Sequence, residues 1–176
     1  QFQNTGFRFQ NGTVNAMVAP RAKATCRGMF FPRNEMKFRD VLDGLANTVL
    51  AGEIATDLGD RAISTTGSRN NGRDNILNNP KWCADQGQID PERPLFWSDT
   101  GVNYTGAATM RGYRWADLRP LYSCFNTILP PNSEICLTNN HGGHGIVPPS
   151  SRHQGGCHIL MADGAVVFMT DSVEAG

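Results

Sequence analysis

The sequence has no excess of either charge: sixteen basic and sixteen acidic side chains cancel to a formal net charge of zero. Nucleic acids and anionic membranes are gripped through clustered positive charge, so neither is an expected partner. No apolar run is long enough to span a bilayer, and the first residues lack the charged, apolar and small-residue regions of a secretory signal. The expectation is that a targeting segment has been removed or that the chain is part of a longer product. Also missing are a Gly-x-Ser-x-Gly elbow, a His-Glu-x-x-His helix, a phosphate loop and a Cys-x-x-Cys pair, so no familiar catalytic motif is in place. Long runs of helical period are scarce.

What is present is a chain of 176 residues, enough for one domain with a real core, carrying 19 glycines, 10 prolines and many asparagines. That composition belongs to a loop-rich β protein. Five cysteines in such a chain lean towards an oxidising compartment, and an odd number leaves at least one thiol unpaired within it.

The clearest local signal is near the end. Two apolar runs, Cys157–Ala162 and Ala165–Thr170, flank Asp163-Gly164. Asp-Gly between apolar runs predicts a hairpin with a two-residue type I′ turn. In that register Leu160 faces Val167, His158 faces Met169 and Ile159 faces Phe168. Apolar residues occur on both faces, which predicts a central hairpin covered on both sides. Gly155-Gly156 gives the chain freedom at the entrance, where His153 stands.

Upstream, Gln1–Pro20 is an Asn-rich lead-in with Phe2, Phe7 and Phe9 as anchors and a turn at Asn11-Gly12. Gly28–Pro32 reads as a short strand stopped by proline. Phe38, Val41 and Leu42 predict one or two helical turns ended at Gly44, and Thr48–Ile54 predicts a buried strand. Asp43 and Asn47 bracket the turn between them, where their side chains can satisfy backbone groups. Glu53 at the end of a buried strand needs a partner, by ion pair or backbone amide first and by metal or ligand second.

Residues 56–99 read as a long surface excursion with short helices near Asn75–Cys83 and Asp85–Ile89, pinned by Trp82, Phe96 and Trp97. Arg111–Asp117 reads as an alternating strand, and Phe125–Leu129 as an apolar run stopped by the turn Pro130-Pro131-Asn132-Ser133. Cys136 with either Cys83 or Cys124 is the expected disulfide.

Four histidines, His141, His144, His153 and His158, fall within eighteen residues with Cys157 among them. The His-x2-His spacing of His141 and His144 would suit zinc or copper, although the glycine-rich surroundings promise little rigidity. An enzyme built from His153, Asp163 and Glu53 is conceivable as base and orienting carboxylates. Asp163 is already accounted for by the turn, however, and His153 by capping the hairpin, so no catalytic residue is assigned.

Several of these residues carry a resemblance. His153, nine intervening residues and then Asp163-Gly164 resembles the H-X9-DG signature of the bacterial family known as domain of unknown function 1559, abundant in planctomycetes. Asp43-Gly44-Leu45-Ala46-Asn47-Thr48 followed by Gly52-Glu53 is similar to that family's D-G-x-S-N-T…G-E block. Trp115-Ala116-Asp117, Phe125–Ser133 and Cys136 resemble its W-x-D/G…F-N-T-x-x-P-P-N-S…C block. The departures, Leu45-Ala46 for Thr-Ser and Ala165-Val166-Val167 for Ser-Val-Arg, make this copy more apolar.

The resemblance implies a prepilin-type, pilin-like or pseudopilin-like protein. Its fold would be α+β, mostly antiparallel β with long loops, forming one globular head (1–176) that is the C-terminal part of a longer chain whose N-terminal helix is absent here. It also implies an exported, non-enzymatic structural subunit at the cell surface or outside it. Its partners would be other copies of itself or a companion pilin-like chain, with membrane contact only through the missing helix. Type II secretion pseudopilins commonly hold calcium in a C-terminal loop, which makes Asp163, Asp171 and Glu174 the candidate oxygen ligands; no other cofactor is expected. Two readings of other classes compete. One is a secreted carbohydrate- or ligand-binding module using Trp82, Trp97 and Trp115, and the other a metal-dependent hydrolase using the histidine cluster.

Overall fold

The structure is a computed structural model, and it describes residues 29–30, 36–104, 110–117, 119–139 and 145–174. The aromatic anchors Phe2, Phe7 and Phe9, the Asn11-Gly12 turn, all but 29–30 of the strand expected at 28–32 and the pair His141/His144 lie outside the described residues; 29–30 are not in a strand.

The fold is α+β, with two three-stranded sheets and a few short helices. In chain order, β1 is Val49–Gly52, β2 Gly67–Ser68, α1 Arg73–Asn78, α2 Trp82–Asp85, α3 Pro120–Ser123, β3 Ile135–Leu137, β4 Gly145–Ile146, β5 Gly156–Met161 and β6 Val166–Thr170. One sheet has the order β1-β5-β6 and is wholly antiparallel. The other has the order β2-β3-β4, with β2 parallel and β4 antiparallel to β3.

The core is organised around β3. Its three residues are all buried, and alternation sends their side chains to opposite faces. Cys136 joins Ile63, Ile76, Cys83, Trp97, Leu129 and Ile146, while Ile135 and Leu137 pack with Leu121 and Val147. The Cys83–Cys136 disulfide sits inside the first cluster and ties α2 to β3. This is one of the two pairings that the cysteine spacing left open.

The excursion over 56–99 is thereby fastened from within. Trp97 is buried and its indole Nε1 donates to the Thr66 carbonyl at 2.8 Å. Isolated bridges Ala62↔Phe96 and Ile89↔Trp97 hold its two limbs together. The second expected helix, Asp85–Ile89, does not form: α2 ends at Asp85, and Gly87 turns the chain with φ 67°.

Arg111–Asp117 is a series of turns, not a strand. Gly112 has φ 80°, and a Cβ there would lie 2.6 Å from Thr56 Oγ1, so extended pairing is lost at that point. The fully buried Arg111 guanidinium donates through Nη2 to the carbonyls of Pro148 (2.8 Å) and Cys124 (3.3 Å). Burial lowers its pKa to about 10.

The N-terminal half of the first sheet is less regular than expected. A single 3-10 turn, Phe38–Asp40, replaces the helical turns. Gly44 has positive φ (86°) but leads into a second 3-10 turn, Leu45–Asn47. The strand that follows is shorter than Thr48–Ile54, only half-buried, and irregular between Val49 and Ala51.

The C-terminal hairpin forms, in a register one residue away from the expected one. Cys157 pairs with Met169, His158 with Phe168, Ile159 with Val167 and Leu160 with Val166. Met161 N–H donates to Ala165 O and Gly164 N–H to Met161 O. Gly164 alone of the turn residues has positive φ (93°). The connection is therefore a three-residue loop, a type I turn followed by a glycine bulge, and Asp163 Oδ1 caps it by accepting from Ala165 N–H at 2.9 Å. The hairpin is not central either. β5 is the middle strand and β6 an edge, with Val166, Val167 and Phe168 exposed. The entrance glycines have separate tasks: Gly155 takes φ 80°, and at Gly156 a Cβ would meet Met169 O at 2.2 Å.

The disulfide closes a long loop, its cysteines 53 residues apart. Chain-entropy reasoning assigns such a loop about 4 kcal/mol of stabilisation. A Cys83→Ala/Cys136→Ala variant is expected to lose most of that amount in a urea unfolding curve. A midpoint unchanged from wild type would show that the bridge carries no such constraint.

Candidate functional site

Antiparallel pairing between β1 and β5 ends at Glu53, one residue beyond β1. Glu53 N–H donates to His158 O at 3.2 Å, continuing the ladder. The reciprocal bond is replaced: His158 N–H donates to the Glu53 carboxylate, Oε2, at 2.8 Å. The Glu53 carbonyl is left to accept from Ser150 N–H at 3.0 Å, and Ser150 Oγ accepts from Ala55 N–H. A side chain thus substitutes for a backbone acceptor at the last rung, which fixes where the carboxylate lies.

Two imidazoles meet that carboxylate. His153 Nε2 lies 3.3 Å from Oε1, and His158 Nδ1 lies 3.3 Å from Oε2. The rings themselves are edge to face, with centroids 4.9 Å apart, and His158 also stands edge to face against Phe168 at 5.2 Å. One donor atom from each of Glu53, His153 and His158 lies within 4.8 Å of the others. All three side chains are partly open to solvent, at 37% for Glu53, 55% for His153 and 44% for His158.

The backbone hydrogen bond from His158 is the main cause that lowers the Glu53 pKa, helped by the charge on His153 and opposed by desolvation. The ionised carboxylate is the form that this site holds.

The loop carrying His153 is fixed by Asn132. This residue adopts φ 60° after Pro130-Pro131, with its own N–H donating to Pro149 O. Its Oδ1 accepts from Ser151 N–H at 3.0 Å. Ser151 Oγ in turn donates to Gly156 O at 2.6 Å and accepts from His153 N–H at 3.0 Å. Three of the sequence blocks therefore converge at one corner: Glu53, the Pro-Pro-Asn-Ser turn and His153.

The other ends of two of these blocks close the opposite end of the sheet. Asn47 Nδ2 donates to Asp43 O, and Thr48 Oγ1 donates to Gly44 O, both at 3.0 Å. Thr48 O accepts from Ala162 N–H, next to the Asp163-Gly164 turn. Asp43, Gly44, Asn47, Thr48, Asp163 and Gly164 are thus turn residues at the end remote from Glu53.

Other expected groupings do not assemble. Asp163 marks the hairpin turn, while Asp171 and Glu174 follow the far end of β6, a strand of five residues or about 16 Å. One calcium ion cannot take oxygens from both ends. Asp163 is equally remote from His153, which removes the His153–Asp163–Glu53 arrangement. His153 binds Glu53 rather than capping the hairpin turn. Trp97 is buried and Trp115 is 83% exposed, so the tryptophans form no common platform. His158 is the member of the site that its position in a predicted strand concealed. Its pairing with Glu53 spans 105 residues of sequence, and no local pattern reports that.

The fold and this corner together define a small α+β domain, held by a disulfide and by a carboxylate shared between two histidines. The chain belongs to the family described as Protein of unknown function (DUF1559), whose model matches residues 2–176. No curated protein and no solved structure matches it. Among the described residues no helix is long and apolar enough to cross a membrane.

Because the folded pKa of Glu53 is depressed, its contribution to stability is present above the ordinary carboxylate pKa of about 4.3 and is lost as pH falls through the lower folded value. Wild-type urea midpoints are expected to drop on acidification below about pH 4.3, with a shallower drop in Glu53→Gln. Identical acid limbs for the two proteins would contradict the coupling.

Proposed function

We propose that this chain is a non-enzymatic structural subunit, pilin-like or pseudopilin-like, of an assembly outside the cell or on its surface. The prepilin-type character that the resemblance of its sequence blocks implies supports this reading, and the Cys83–Cys136 disulfide suits an oxidising compartment.

The observation that carries it is the outer face of the β1-β5-β6 sheet. Cross-strand partners share a face, so Ala51, Leu160 and Val166 stand together, beside His158 and Phe168. Val166 is 63% exposed and Phe168 45%. Among the described residues nothing pairs with the free edge of β6, and that edge has neither a proline nor a charged side chain to blunt it. An apolar face next to an open strand edge is surface that a structural subunit buries against its neighbour. The neighbour is another copy or a companion pilin-like chain, and export would be followed by assembly through this strand.

Negatively stained native material is expected to show filaments or regular higher oligomers. Phe168 is already about half covered, so burying the rest contributes roughly half of the 1.5–3 kcal/mol of a full burial, and Phe168→Ala should weaken self-association about three- to tenfold. A native protein that stays monodisperse and monomeric at every concentration tested would overturn the proposal.

A further inference from the structure

We infer that Glu53, His153 and His158 form a binding site for one divalent transition-metal ion of the zinc type. Two imidazoles and one carboxylate are the donor set that zinc accepts, leaving one position for water or for a ligand from outside. The set is poor for calcium, which takes six to eight oxygens.

The distances fit. Zinc bonds to nitrogen and oxygen of about 2.0–2.2 Å, arranged tetrahedrally, place neighbouring donors roughly 3.3–3.5 Å apart. His153 Nε2 and His158 Nδ1 each lie 3.3 Å from a Glu53 oxygen. Small rotations of the two rings about the carboxylate would bring both to one ion, because one donor atom from each of the three residues already lies within 4.8 Å of the others.

The site is also built from rigid parts. His158 lies on the middle strand of the sheet, and its ring is wedged between His153 and Phe168. Glu53 is held by its backbone N–H, its carbonyl and its Oε2. His153 is positioned through Ser151, which Asn132 secures in turn. These contacts serve as the outer shell that orients metal ligands. Partial exposure of all three side chains gives an ion access from solvent.

The competing account is a metal-free clip, in which two imidazoles simply hydrogen-bond one carboxylate across β1 and β5. The two accounts separate in a titration of the whole chelator-treated chain with ZnCl2. Calorimetry should give one ion per chain, with a thermal midpoint that rises with zinc and does not rise with CaCl2. Cobalt(II) should give the intense visible bands of low coordination number. His153→Ala, whose side chain is largely exposed and whose fold should persist, is expected to weaken zinc binding by tenfold or more, as is Glu53→Gln. A His141→Ala/His144→Ala variant should bind as wild type does. Absence of stoichiometric binding, equal response to calcium, or binding that survives His153→Ala but is lost with His141 and His144 would each overturn the inference.

Discussion

A carboxylate at the end of a sheet cannot be left without donors, and the way Glu53 finds them shapes this corner of the molecule. Its Oε2 takes the His158 amide, so the ladder between β1 and β5 ends on a side chain and not on a carbonyl. That substitution frees the Glu53 carbonyl for Ser150, which draws the 149–153 loop onto the sheet. The same loop then brings His153 to the second carboxylate oxygen. Hydrogen bonds to an ionised acceptor are roughly twice as strong as neutral ones, so the charge is what makes the arrangement worth its desolvation.

The sheet built on that corner buries Cys157 and Ile159, but the two main core clusters lie elsewhere. The deepest packing surrounds β3, whose Cys136 and whose Ile135 and Leu137 feed two separate clusters. Three buried residues in a short strand can do this because alternation divides them between faces. The hairpin is left as a flank of the domain, with β5 half covered and β6 on the outside. Apolar residues on both faces of that hairpin are real, but the described residues cover only one of them.

The sequence made much of this legible, and the misses have physical causes. Asp163-Gly164 located the hairpin, but the same dipeptide serves a type I′ turn and a type I turn with a glycine bulge. Only the register tells them apart, and with apolar residues on both faces a one-residue slip costs the pattern nothing. Spacing left Cys136 with two candidate partners, Cys83 and Cys124; burial in a common core, which spacing does not encode, selects Cys83. Gly112 defeated the strand read over 111–117, since positive φ breaks extension where hydropathy alternates normally. Glu53 announced its need for a partner by chemistry alone. Which partner it found depended on β1–β5 pairing across more than a hundred residues, a distance at which periodicity says nothing.

Placement of the Glu53 corner relative to the apolar face links the two proposals. Cross-strand pairing puts His158 on the same face as Phe168, and Leu160 on the same face as Val166. A neighbour that covers Val166 and Phe168 would therefore approach the open side of Glu53 and His153 as well. Covering that side lowers the local dielectric, which strengthens the imidazole–carboxylate contacts and raises the cost of leaving either uncompensated. An assembly interface and a metal-ligating corner on one face constrain each other: whatever docks on the apolar strand must also satisfy, or ligate through, the charged end of the sheet.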